Sequence, residues 1–236
     1  MVHDRVSLDK ISDFMKYLAS CENSEGNRIP PLTDLSQELG ISVASLREQL
    51  EVARTFGLVE VRPKTGIRKL PYTFTPAVAN SLAYAVRTDQ NFFRSFSDFR
   101  NHIETAYWYQ AVALLTPEDV EKLQGLVKSA FAKLHGLRAQ IPHSEHRELH
   151  LMIFRRLNNP FVMGILEAYW EIYEAVGLDV YTDLVYLERV WSYHQRMVDS
   201  ISSGNFAAGY QALTEHTDLI FQRSRPSSIQ NRQKFE

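Results

Sequence analysis

The sequence has little of what marks a secreted or membrane-bound chain. Cys21 is the one cysteine among 236 residues, so an intrachain disulfide is excluded and a reducing compartment is expected. No run approaches the roughly 20 apolar residues of a membrane-spanning helix, and the first ten residues lack the apolar centre of a signal peptide. These absences predict a cytoplasmic protein with no membrane partner.

The sequence also lacks a large excess of either positive or negative charge. The chain has 26 Lys and Arg against 28 Asp and Glu, a net charge of −2, so any contact with DNA must come from a local patch. The sequence shows no phosphate-binding loop, nucleophile motif or nucleotide fingerprint, which argues against an enzyme. The composition, 44% hydrophobic and 23% charged, is that of an ordinary globular protein with one large or two smaller domains.

Three helical patterns open the chain. An amphipathic pattern predicts a helix over residues 7–20. Two short helices follow, with Thr33 and Ser42 as their predicted N-caps and Gly40 and Gly57 as their ends. Two short helices joined through a glycine-containing turn predict a helix-turn-helix.

A β-hairpin is predicted after these helices, with strands at 58–61 and 67–70 and a turn at 63–66. The combination predicts a winged helix-turn-helix domain over 1–70, with the 43–56 helix in a DNA major groove. The predicted DNA-contact residues are Ser42, Ser45, Arg47, Arg62, Lys64, Thr65 and Gly66. A domain whose hairpin contacts another protein stays open, because residues 28–70 carry seven Lys and Arg against five Asp and Glu.

Residues 71–76 hold two prolines and no periodicity, and we interpret them as a linker. Residues 77–223 have almost no strand signal and predict an all-helical antiparallel bundle, so the fold class is mainly α. The predicted helices span 76–88, 91–114, 117–138, 143–157, 159–177, 181–202 and 205–222. Predicted core positions are Val112, Leu115, Leu123, Leu126, Ile153, Phe154, Leu157, Phe161, Ile165 and Leu166. The polar residues 224–236 predict a flexible tail.

Four of the eight histidines fall on three of these predicted helices. His146 and His150 are four residues apart, so both imidazoles lie on one helix face. His194 and His216 lie on two later helices. Helical bundles build metal sites from side chains on facing helices, and neutral imidazole is a common ligand for late first-row metals.

Residues 28–70 resemble the winged-helix domain of GntR-family transcription regulators. The matching positions are Ile29, Pro30, Leu35, Leu39, Gly40, Ser42, Leu46, Arg47, Glu48, Leu50, Gly57, Leu58, Val59 and Gly66. Thr33 and Val43 stand where the family has DNA-contacting arginines, which implies weaker DNA binding or an altered operator.

The bundle is similar to the FCD effector domain of the FadR branch of that family. The matching stretches are HRELH at 146–150 with Asn158-Asn159-Pro160, the helix of His194 with Gly204-Asn205, Glu215-His216, and the pair Arg100 and Glu104. The resemblance implies that His146, His150, His194 and His216 bind a divalent metal. The family's first ligand is normally Asp or Asn, and here it is His146. Four neutral imidazoles leave the metal its full charge, which favours zinc or nickel and a carboxylate effector.

The resemblance therefore implies a ligand-responsive regulator that binds a palindromic DNA operator as a homodimer and a small organic acid in its bundle. Arg100 is the candidate partner of the effector carboxylate, with an ion pair inside the bundle as the alternative. Two other functions stay open. One is a metal-stabilised interaction protein with weakened DNA binding, and the other is a metal-dependent enzyme, for which the sequence places no base beside the histidines.

Overall fold

The computed structural model describes residues 10–21, 27–175 and 183–223. Within these ranges the chain forms ten helices and three short strands, so the prediction of a mainly helical fold is confirmed. No helix among the described residues has the length and apolar character that crossing a membrane requires.

The N-terminal elements form a winged helix-turn-helix. They are α1 (Asp13–Ser20), β1 (Arg28–Ile29), α2 (Leu32–Leu39), α3 (Val43–Thr55), β2 (Val59–Arg62) and β3 (Gly66–Lys69). The strands form an antiparallel sheet in the order β1-β3-β2. Its inner face and the helices enclose a small core of Phe14, Leu18, Ile29, Leu35, Leu46, Leu50, Ala53, Val59 and Ile67.

Of the two predicted helix N-caps in this domain, one is confirmed and one is wrong. Ser42 caps α3 as predicted, since its side chain accepts a hydrogen bond from the Ser45 backbone N–H. The prediction that Thr33 caps α2 is wrong, because the cap is Pro31 and the Thr33 hydroxyl donates instead to Asp34. Strand β1 was not predicted, because two residues are too few to show an alternating pattern.

The remaining helices form the bundle. They are α4 (Thr75–Thr88), α5 (Asn91–Val112), α6 (Pro117–Leu134), α7 (His143–Arg155), α8 (Pro160–Ala175), α9 (Leu184–Ser202) and α10 (Phe206–Arg223). Residues 7–9, 176–182 and 224–236, which include the predicted tail, lie outside the described residues. Most predicted core positions are buried or packed against the core, but Phe161 is 53% exposed and packs edge-on against Tyr72 and Phe74 of the linker.

The linker is packed between the two domains. A Cβ at Gly164 of α8 would lie 2.6 Å from Phe74 Cβ and 2.9 Å from the Thr75 backbone nitrogen. The linker can therefore pass this close to α8 only because Gly164 has no side chain. Thr75 Oγ1 donates to Glu167 of α8 at 2.5 Å. On the other side, Asn80 of α4 donates to the Thr55 carbonyl at the end of α3 at 3.0 Å. The linker and α4 therefore contact both the bundle and the winged domain.

Candidate metal centre

The four predicted histidines meet inside the bundle. His146 and His150 come from α7, His194 from α9 and His216 from α10, and one ring nitrogen from each lies within 4.8 Å of the others. The ring centroids are 4.4 to 5.7 Å apart. His150, His194 and His216 are at most 1% exposed, and His146 is partly exposed. The helix spacing and the topology thus bring together every residue of the predicted ligand set.

The spacing of two ring nitrogens is close to that of two ligands on one metal. His150 Nε2 lies 3.2 Å from His194 Nε2. Two imidazoles bound tetrahedrally to zinc, each at about 2.0–2.1 Å, have nitrogens about 3.3–3.4 Å apart. In the absence of a metal, one of these nitrogens must carry the proton that the other accepts.

Several buried nitrogens of the cluster have no hydrogen-bond partner among the described residues. They are His146 Nε2, His194 Nδ1 and both ring nitrogens of His216. Burying a polar atom without a partner costs free energy, so native proteins rarely keep several in one place. A metal accepting a lone pair from each ring would satisfy the ligating nitrogens, and the residues present therefore fit a late transition metal.

Glu104 of α5 holds His150 in the required tautomer. His150 Nδ1 lies 3.0 Å from Glu104 Oε1, the same oxygen that lies 2.8 Å from Arg100 Nη2. When Glu104 is ionised its carboxylate only accepts, so the proton then lies on Nδ1 and the Nε2 lone pair faces the cluster. Such outer partners of a ligating histidine fix the ring and raise its basicity. The resemblance named Glu104 only as a matching position, and its contact with His150 requires α5 and α7 to pack together.

Arg100 lies one turn before Glu104 and is 1% exposed. Its Nη2 forms an ion pair with Glu104 Oε1 at 2.8 Å, and Nη1 donates to Asn101 Oδ1 at 3.1 Å. The guanidinium lies over the Tyr169 ring, 4.7 Å from its centroid. The ion-pair alternative is therefore present in the structure, while Nε of Arg100 has no hydrogen-bond partner among the described residues.

Burial sets the protonation of this centre. Desolvation lowers the pKa of all four imidazoles well below the usual value, and the Arg100 charge lowers them further. Burial raises the pKa of Glu104 to about 7 against the opposing effect of Arg100. The imidazoles are therefore neutral at pH 7, which is the form that binds metal.

These shifts predict that the metal-free protein loses stability in mild acid. Below about pH 6.5 the unfolded chain binds protons that the folded imidazoles do not, so each imidazole lowers the unfolding free energy by up to about 1.4 kcal/mol per pH unit. Glu104 has the opposite effect on the unfolding free energy, because its raised pKa makes the folded state bind a proton before the unfolded state does as the pH falls. This single carboxyl offsets the effect of only one of the four imidazoles. We expect the urea midpoint in chelator to fall between pH 7.5 and 5.5, and less so in His150→Gln. A midpoint that does not change with pH contradicts the buried, neutral assignment.

The predicted DNA-contact residues lie on the winged domain as follows. Ser42 and Arg47 are exposed, and the four wing residues Arg62, Lys64, Thr65 and Gly66 are exposed around a tight turn. Ser45 is half-buried, and its Oγ accepts a hydrogen bond from Gln49 Nε2. Arg62 forms an ion pair with Glu60 at 2.9 Å.

The chain thus combines a winged helix-turn-helix with a helical bundle in which four imidazoles meet. Residues 96–219 match the FCD domain. The match spans more than half of the chain, and the protein belongs to the FCD-domain family.

Similar proteins include the Escherichia coli (strain K12) uncharacterized HTH-type transcriptional regulator YieP, which is 23% identical over 81% of this chain and 83% of the relative. The putative L-lactate dehydrogenase operon regulatory protein of the same strain is 22% identical over 90% and 84%. The solved structure of Streptococcus agalactiae GntR has the same fold, with a TM-score of 0.60 and 16% identity over 84% of this chain and 90% of that chain.

Together, the FCD match and these relatives support a GntR-family transcription regulator with an FCD effector domain. The relatives are named as regulators, in agreement with the expectation that the chain is not an enzyme.

Proposed function

We propose that this protein is a ligand-responsive DNA-binding regulator of the FadR branch, whose bundle binds a divalent metal, zinc or nickel, and a small carboxylate effector. The observation that carries the proposal is the convergence of four imidazoles from three helices, three of them at most 1% exposed, with four ring nitrogens that have no hydrogen-bond partner among the described residues. Four neutral ligands leave the metal charge uncompensated, so an anion is favoured in its remaining positions.

Arg100 supports the choice of a carboxylate. Its buried guanidinium lies within 4.7 Å of the Tyr169 centroid and 5.6 Å of the Trp170 centroid, and the Trp170 ring lies 4.7 Å from that of His146. A cation in a low-dielectric site beside the imidazoles attracts an acid more strongly than one at the surface. The name of one relative, a regulator of an L-lactate dehydrogenase operon, makes 2-hydroxy acids the first carboxylates to test.

Helix α8 supplies a route from the effector site to the DNA-binding domain. Trp170 contacts His146 and His150, while Gly164 and Glu167 of the same helix contact the linker. If α8 can adopt two positions and the effector binds one of them more tightly, binding would shift the linker and α4 relative to α3. We propose that this motion changes the spacing of two winged domains in a homodimer on a palindromic operator.

The alternative of an interaction protein predicts weak DNA binding, and replacing Arg47 distinguishes it from the regulator. Arg47 is exposed in the first half of α3, where a recognition helix reaches base edges. We expect Arg47→Ala to weaken binding to an operator selected from random DNA at least about fivefold, because a lost bidentate base contact costs about 1–3 kcal/mol. Binding is measured by fluorescence anisotropy.

The matched control is Arg87→Ala, which removes an equally exposed arginine at the end of α4. Selection that enriches no sequence would favour the interaction protein. The enzyme alternative needs a base beside the histidines. Glu148, the acid between His146 and His150 on α7, instead forms an ion pair with Arg155 at 2.8 Å.

A further inference from the structure

Two arginines lie side by side on the outer face of the wing sheet. The register of the antiparallel strands places Arg28 of β1 directly opposite Arg68 of β3. Their neighbours Ile29 and Ile67 form the buried face, so both arginines point to solvent, where both are exposed. Side chains directly opposite on one face of a sheet are neighbours, and like charges in that arrangement are destabilising.

The acidic residue on this face does not neutralise the pair. Glu60 of β2 lies opposite Arg68 on its other side. Its carboxylate forms an ion pair and a hydrogen bond with Arg62, both at 2.9 Å. Within the described residues neither Arg28 nor Arg68 has a carboxylate within ion-pair distance, so no ion pair in this part of the chain neutralises either charge.

Arg28 also reaches the wing turn, although 38 positions separate it from Gly66 in the sequence. A Cβ at Gly66 would lie 4.0 Å from both Nε and Nη2 of Arg28. The guanidinium therefore lies beside the turn that carries Lys64 and Thr65. The positive face runs without a break from the turn across β3 to β1.

We propose that Arg28 and Arg68 form a binding face for the phosphates of duplex DNA, in addition to α3 and the wing turn. A row of guanidinium groups matches phosphate oxygens, which accept two parallel hydrogen bonds from one guanidinium. An anion between the two arginines also removes their mutual repulsion. The inference rests on the proposed DNA binding and extends its contacts to a strand that sequence patterns do not reveal.

The test is the salt dependence of binding to a short random-sequence duplex, which needs no known operator. Each lost phosphate contact lowers the slope of log affinity against log salt by about 0.9. We expect that decrease in Arg28→Ala and in Arg68→Ala, about twice as much in the double variant, and a wild-type slope in Arg28→Lys. The control Arg138→Ala removes the same charge from an exposed position after α6 and should keep the wild-type slope.

The outcomes separate this inference from the proposed function. If Lys64→Ala lowers the slope while Arg28→Ala and Arg68→Ala do not, the wing binds DNA without the sheet face and the inference is wrong. If the wild type binds no duplex even at low salt, the proposed DNA binding fails and the inference fails with it. The melting temperature should stay equal or rise in both variants, because a repulsion is removed, and a fall would contradict the like-charge argument.

Discussion

We expect added zinc to raise the melting temperature of the chelator-treated protein by about 8–16 °C, and we expect no rise in His150→Ala. A ligand that binds only the folded state at about a thousandfold excess over its dissociation constant stabilises by about 4.1 kcal/mol. In a chain of this size each kcal/mol corresponds to about 2–4 °C. His150 is fully buried and held by Glu104, so its loss removes both a ligand and the orientation of the site.

The control for this prediction is His102→Ala. His102 lies on α5 and is exposed, with Nδ1 against the Asp98 carbonyl of its own helix. It should keep the full response to zinc. An equal rise in the melting temperature of His150→Ala would show that zinc binds elsewhere than at the imidazole cluster.

Replacing Arg100 with methionine is expected to have the second large effect. It leaves the fully buried Glu104 carboxyl without its cation, and breaking a buried ion pair in this way costs about 3–5 kcal/mol. The lower end is expected at neutral pH, because the pKa of Glu104, already raised to about 7, rises further and the carboxyl takes up a proton. The measurement is urea unfolding of the zinc-bound and chelated proteins.

A double-mutant cycle with Glu104→Gln isolates the pair. The double variant Arg100→Met/Glu104→Gln should be more stable than Arg100→Met, because it no longer buries a carboxyl without its cation. It should bind zinc about 10–100-fold more weakly than the wild type, because His150 has lost its anionic acceptor. At saturating zinc we expect L-lactate, a 2-hydroxy acid, to raise the melting temperature of the wild type and to leave that of Arg100→Met unchanged. If L-lactate raises the melting temperature of Arg100→Met as much as that of the wild type, Arg100 forms only the ion pair with Glu104 and does not bind the effector.

Much of the fold could be predicted because local signals mark the ends of its elements. Ser42, Gly40 and the Thr116-Pro117 start of α6 follow capping preferences, and the structure places the ends there. The errors fall where tertiary contacts decide. Phe161 follows the apolar pattern of α8, yet it lies against the linker rather than in the core.

The site could be predicted only in part. The four-residue spacing of His146 and His150 fixes their shared face, but nothing local brings His194 and His216 to the same point. That expectation came from the resemblance to the FCD domain, and the structure supplies the geometry. The role of Glu104 and the place of Arg28 depend on contacts between elements far apart in sequence, for which one sequence carries no periodic signal.

The central claim is that one metal ion lies between the four imidazoles, and X-ray diffraction from crystals grown without chelator tests it most directly. Data collected on both sides of the zinc and nickel absorption edges should show a single anomalous peak per chain, within about 2.0–2.2 Å of a nitrogen from each of His146, His150, His194 and His216. The same peak should be absent from crystals of His150→Ala. A wild-type map with no anomalous density in the cluster after zinc soaking, and water or side-chain hydrogen bonds on those nitrogens, would contradict the account.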